Sequence, residues 1–251
     1  MHGRRRTLAT AIALAVMVPP SAGAVAGRTD ASPDRMQRAQ AEVIGRSVQG
    51  RPIRAWHLGD PDARRTVVVM AAMHGNELAP RRILGTLRKR ARIRGVDLWV
   101  VPTVNPDGAR RHHRKNARGV DLNRNYPVRW KRLHGSYDSG PRPRSEPETR
   151  VMMRFLRRQD PRYVVSFHQP LHGVDATVPK TSALARRLAV RMHLPRKSFT
   201  CGGHCHGTMT QWFNKRRSGA AVTVELGPSP SRHYLSTVAP KGLLRAIRPR
   251  R

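Results

Sequence analysis

Four short, almost uninterrupted apolar runs constrain this chain more than anything else in it. They cover 66–72, 96–101, 162–168 and 220–226, and Val alone supplies ten of their positions. Runs of this length, rich in β-branched residues, read as strands buried on both faces. Helical patterns are expected between and after them, over 78–90, 147–158, 181–193 and 207–217, with a terminal helix through Leu243, Leu244 and Ile247. Residues 41–56 hold two apolar stretches around a Gly-containing turn, a hairpin signal. Strands alternating with helices predict an α/β fold, a mixed and largely parallel central sheet flanked by helices in one domain. Ligands of such sheets bind beyond the carboxyl ends of the strands.

Three of the four runs end in a potential metal ligand or acid. The first leads into His74-Gly75-Asn76-Glu77, the third ends in His168, and the fourth reaches Glu225. Two histidines and a carboxylate with one open position make a catalytic zinc set. A further carboxylate nearby suits a general base. A lone His-x-x-Glu arises often by chance, so the weight falls on its context.

That context is the stretch 102–144, rich in Pro, Gly, Asn, Arg and His and without periodicity. So long an irregular segment in a compact domain is uncommon unless it is functional. It contains Asn105-Pro106-Asp107-Gly108 and then Arg114-Lys115-Asn116-Ala117-Arg118-Gly119-Val120-Asp121-Leu122-Asn123-Arg124-Asn125-Tyr126-Pro127. With His74-Gly75-Asn76-Glu77 upstream and Ser145-Glu146-Pro147-Glu148-Thr149 downstream, this run resembles the zinc carboxypeptidase family typified by carboxypeptidase A. The likeness spans roughly 40–228 in the same order.

The resemblance implies one zinc ion per chain, held by His74, Glu77 and His168. It implies that Glu225 is the general base for the attacking water and that Arg114 polarises the scissile carbonyl. Asn123 and Arg124 match the pair that holds the substrate's free carboxylate. Chemistry agrees with these roles: a guanidinium forks onto a carboxylate, and a cation beside a developing oxyanion lowers the barrier. The digestive members carry a tyrosine between the third ligand and the base, and no Tyr lies between His168 and Glu225 here. In this the chain looks more like the bacterial branch of murein peptide amidase and γ-D-glutamyl-diaminopimelate peptidases.

Other residues get plainer readings. Asn105, Asp107 and Gly108 read as a turn. Arg118, His112 and His113 read as polar loop surface, and His172, His193 and His233 as surface or satisfied core. Cys201-Gly202-Gly203-His204-Cys205-His206 invites a second metal site, but a lone Cys pair in an exported protein is more simply a disulfide.

Export itself is read from the N-terminus. Arg4, Arg5 and Arg6 precede an apolar stretch over 7–18, then Pro19-Pro20 and small residues with cleavage positions after Ala24 or Ala26. This predicts a signal peptide over 1–26, a linker over 27–40 and a catalytic domain over 41–251. No run is long enough for a permanent transmembrane anchor. The net charge of +34, from 49 Lys and Arg against 15 Asp and Glu, suits attraction to an acidic cell-wall polymer. Aromatic residues at 5% argue against specific nucleic-acid binding through stacked bases.

The expected function is therefore a secreted zinc metallocarboxypeptidase acting on a peptide, or on a cell-wall stem peptide (muropeptide), next to a free carboxylate. The alternatives are an acylamino-acid deacylase of aspartoacylase type and a polyanion-binding protein that has lost activity. The stretch 119–125 favours the first over the deacylase, and the intact His74, Glu77, His168 and Glu225 favour it over the binding protein.

Overall fold

The structure is a computed structural model that describes residues 40–89 and 93–248. The expected signal peptide and, except for Gln40, the expected linker lie outside the described residues.

Eight strands form one mixed sheet in the order β1-β2-β4-β3-β5-β8-β6-β7. At its centre are β4 (Asp97–Val101), β3 (Thr66–Met70), β5 (Tyr163–His168) and β8 (Ala220–Glu225), all parallel. These are the four apolar runs. The hairpin of β1 (Gln40–Arg46) and β2 (Pro52–His57) joins antiparallel to β4. On the other side, β6 (Gly173–Asp175) runs antiparallel to β8 and parallel to β7 (Arg196–Lys197).

Both faces of the sheet are covered, which is why the central runs are apolar throughout. Val67, Val69, Val165, Phe167, Val222 and Val224 pack against α1 (Pro80–Arg88), α4 (Ser182–Met192) and α6 (Ala239–Ile247). The alternate residues Val68, Met70, Val164 and Ala221 face α3 (Pro147–Gln159) and α5 (Met209–Arg216). Ile83, Leu84 and Leu87 are the apolar stripe of α1, and all three are fully buried.

The long polar segment is more ordered than its composition suggests. Pro106–Arg111 form a short helix, α2, in place of the expected turn. Asn105 caps it by accepting a hydrogen bond from the Gly108 N–H, and Pro106 takes the first helical position, where its missing N–H costs nothing. Beyond it, side-chain amides do the work of a backbone ladder. Asn116 Oδ1 accepts from the Arg118 and Val120 N–H groups, while its Nδ2 donates to Glu146 and Glu148. Asn125 Nδ2 donates to the Ser139 carbonyl and to Ser145 Oγ. The Ser145-to-Thr149 motif is thus an anchor that ties the loop to the start of α3.

Candidate metal centre and active site

The carboxyl ends of β3, β5 and β8 point at one place. The chain leaves β3 and turns, so that His74 and Glu77 meet His168 at the end of β5. Gly75 sits so close to α2 that a Cβ there would lie 2.1 Å from the Gly108 carbonyl carbon, and the turn admits no side chain.

One ligand atom from each of His74, Glu77 and His168 lies within 4.8 Å of the other two, and all three residues are buried. His74 Nδ1 is 2.7 Å from Glu77 Oε1, and His168 Nδ1 is 2.9 Å from Glu77 Oε2. The two Nδ1 atoms face each other at 3.2 Å. Two imidazole nitrogens and a carboxylate converging in a dry site are the donor set a zinc ion takes. Burial alone would lower the pKa of His74, but the charges of Glu77 and Asp121 outweigh it and hold the ring up at about 9. Burial pushes Glu77 up, yet the neighbouring imidazoles bring it well below the usual carboxylate range. The same carboxylate charges that favour a proton on His74 would favour a bound cation.

Glu225 stands beside His168 as its register partner on the adjacent strand. Its Oε2 accepts weakly from the Leu171 N–H at 3.4 Å, and burial raises its pKa above the ordinary value. A carboxylate held in this way is a better proton acceptor than a free one.

The three remaining residues line the same cleft, which encloses about 450 Å³. Asn123 Oδ1 accepts from the Met209 N–H at 3.0 Å, and the residue lines the cleft. Arg124 is buried; its Nη1 donates to the Asn123 carbonyl and its Nε has no partner among the described residues. Arg114 donates from Nε and Nη2 to Asp121 Oδ2, at 3.0 and 2.8 Å, and its Nη1 lies 3.5 Å from Glu77. All seven of the expected residues are thus gathered at one cleft. Cys201 and Cys205 lie on its rim with their Cα atoms 5.2 Å apart and their sulfurs joined.

The zinc carboxypeptidase family model matches residues 30–172, more than half of the chain. The chain belongs to the zinc carboxypeptidase family. Zinc is the cofactor of that family, and the His74, Glu77 and His168 donors fit it. Membership makes the chain a peptide-bond hydrolase. This zinc carboxypeptidase is 33% identical over 193 residues to murein peptide amidase A of Escherichia coli strain K12, covering 68% of this chain and 75% of that one. It is 28% identical to the Vibrio campbellii protein of the same name, over 73% of this chain and 78% of the relative. The crystal structure of murein-tripeptide amidase from Escherichia coli O157 superposes with a TM-score of 0.66 at 32% identity, over 82% of this chain and 91% of that one. Carboxypeptidase A of Helicoverpa armigera shares the fold, with a TM-score of 0.68 at 15% identity over 83% and 66% of the two chains.

Two further residues of this zinc carboxypeptidase site received no role from the sequence. Asp121, fully buried, lies 3.0 Å from His74 Nε2 and also receives Arg114, so one carboxylate orients a donor of the metal centre and the cation beside it. It lies inside the family-like stretch 119–125, which gave it a place in the motif but no role. Tyr137 reaches the cleft from a 3-10 turn, Gly135–Tyr137. Its ring lies 5.4 Å from the Arg114 guanidinium and 5.0 Å from that of Arg124, and it stacks on His204 at 4.9 Å. Nothing in sequence spacing marks it. Among the described residues no helix is long and apolar enough to cross a membrane.

Proposed function

We propose that this chain is an exported zinc exopeptidase that hydrolyses a cell-wall stem peptide next to a residue with a free carboxylate. The observation that carries the reading is that Asn123 and Arg124 line one cleft with Glu225 and the His74–Glu77–His168 cluster. The murein peptide amidases, similar over most of their length, favour a muropeptide over an ordinary peptide. The basic N-terminal stretch and its small-residue tail support export, and the charge of +34 supports retention on an acidic wall polymer.

In this reading His74, Glu77 and His168 hold the zinc, which when bound supplies Lewis-acid polarisation of the scissile carbonyl and eases deprotonation of water. Arg124 forks onto the substrate's terminal carboxylate and Asn123 donates its amide to the same group. These contacts fix the peptide bond relative to Glu225. Glu225 takes a proton from the attacking water as the water oxygen bonds to the carbonyl carbon. It then delivers that proton to the leaving nitrogen as the C–N bond breaks. Arg114, steadied by Asp121, presents Nη1 to the negative oxygen formed on the way.

The test is hydrolysis of matched substrates by the zinc-loaded protein: a γ-D-glutamyl-diaminopimelate muropeptide, its carboxamide, and an ordinary peptide acid. The reading expects the free-acid muropeptide to be cleaved fastest. Equal cleavage of acid and amide would strip Asn123 and Arg124 of the carboxylate-holding role.

A further inference from the structure

Three acids line the cleft: Glu77, Glu225 and Asp175. The first two belong to the reaction just described, and Asp175 has no place in it. Its position follows from strand register. Gly173 on β6 is opposite Glu225 on β8, and Val174 is opposite Val224. Val174 and Val224 point into the core on one side of the sheet. Side chains alternate along a strand, so Asp175 stands on the other face, the one that carries Glu225. Two residues of β-strand separate it from the level of Glu225, about 7 Å. Thr223, two residues before Glu225, also lines the cleft. The wall that leads away from the general base ends at a carboxylate.

The charge balance makes this acid conspicuous. The chain carries 49 Lys and Arg against 15 acids, and most described carboxylates have met a cation or an imidazole. Glu42 pairs with Arg158, Asp97 with His57, Asp107 with Arg51, Asp121 with Arg114, and Asp160 with Arg217. Asp175 makes no ion pair among the described residues. Its Oδ1 accepts from Thr177 N–H and Oγ1, at 3.0 and 2.7 Å, and its Oδ2 receives nothing from the described residues. Lys197, its lateral neighbour on β7, directs its ammonium to the Leu171 carbonyl instead. The cations that do line the cleft, Arg114, Arg124 and Arg129, come from the long polar segment. A half-buried carboxylate that no described cation pairs with, in so basic a protein, suits a cation that arrives with the substrate.

We propose that Asp175 receives an ammonium group at the end of the substrate side chain, on the residue whose free carboxylate Arg124 and Asn123 hold. The inference rests on the exopeptidase reading above and adds a specificity-determining residue to it. The preferred residue is then one with a carboxylate at its backbone end and an ammonium at its side-chain end.

The experiment compares wild type with Asp175→Asn, whose carbonyl oxygen still accepts both Thr177 donors and so keeps the local fold. The substrates are pairs ending in lysine or norleucine, each built as an α-linked peptide and as a γ-D-glutamyl peptide. The expected result is a wild-type kcat/KM about 10-fold or more higher for lysine, typical of a hydrogen bond to a charged group. D175N should lose that preference and cleave the norleucine substrates at the wild-type rate. A wild type indifferent to the ammonium, or a D175N enzyme that keeps its preference, overturns the proposal. Should none of the peptides be cleaved, the hydrolase reading fails separately, and calorimetry of free lysine and norleucine on the zinc-loaded proteins decides for Asp175. Selective lysine binding by wild type alone upholds it, and equal binding overturns it.

Discussion

His168 and Glu225 are register partners on two adjacent parallel strands, so a single run of backbone hydrogen bonds sets the spacing between a candidate zinc donor and the candidate base. The strands beneath them are buried on both faces, with Val164, Val165, Val222 and Val224 nearly inaccessible. Geometry of this kind resists local change, and it lets single side chains be altered without moving their neighbours.

Removal of a donor should remove the metal. His74→Ala and His168→Ala should each lose bound zinc, measured by elemental analysis after dialysis, and should lose hydrolysis with it. Wild type should hold about one zinc per chain, because one complete donor set exists among the described residues. Retention of stoichiometric zinc by both variants would show that the ion is held elsewhere.

Glu225→Gln should separate binding from chemistry. The variant keeps a side chain of the same shape beside His168 and loses its proton acceptor. Zinc content should be unchanged while kcat falls by roughly 100-fold or more, the usual range for lost general acid-base help. A near-normal kcat would move the base to another residue.

Asp121→Asn tests the shared carboxylate. Asn still accepts from His74 Nε2, at 3.0 Å in the native protein, but it carries no charge for the ring or for Arg114. Zinc affinity, measured by competition with a chelator, should weaken by about 10-fold or more, as for other partners of metal-bound histidines. An unchanged affinity would assign Asp121 to the loop alone.

Arg124→Lys should not be conservative, since an ammonium cannot make two parallel bonds to a carboxylate. KM for peptide acids should rise and the preference for acid over carboxamide should shrink. The expected loss is on the order of 1.5–3 kcal/mol, as for hydrogen bonds to charged groups. Arg114→Lys should instead lower kcat more than it raises KM, because its partner charge develops during the reaction.

Gly207→Ala should damage the same subsite through the backbone. Gly207 has φ +64°, and a Cβ there would lie 2.4 Å from the Arg124 carbonyl oxygen. The left-handed backbone alone costs an alanine roughly 1–2 kcal/mol. The contact with Arg124 adds to it, so urea unfolding should report a loss above that value together with a higher KM for peptide acids. A stable variant with normal KM would show that the loop yields without disturbing Arg124.

Much of this was legible before the structure because two strong signals coincide. Continuous Val-rich runs mark strands buried on both faces, and their ends carry His, Glu, His and Glu in order. The parts that stayed hidden are short or depend on approach in space. Strand β6 has three residues and β7 has two, too few for any alternation to register. Helix α2 has six, one and a half turns, and its Asn-Pro start reads equally well as a turn. Tyr137 comes to the cleft because Asp138 and Ser139 are tied to Asp121 and Leu133 by backbone bonds across the loop. Asp175 is one acid among many residues until the register with β8 aims it.

The candidate donors and base stand at or just past the ends of the central strands, whereas much of the far wall of the cleft comes from 169–181 and 199–214, largely outside that ladder. In the proposed reading, turnover and taste in substrates are therefore written on different parts of the chain. An insertion or exchange in those outer segments can retrain what the enzyme accepts while its chemistry is inherited intact, and a relative with another diet needs no new catalytic residue.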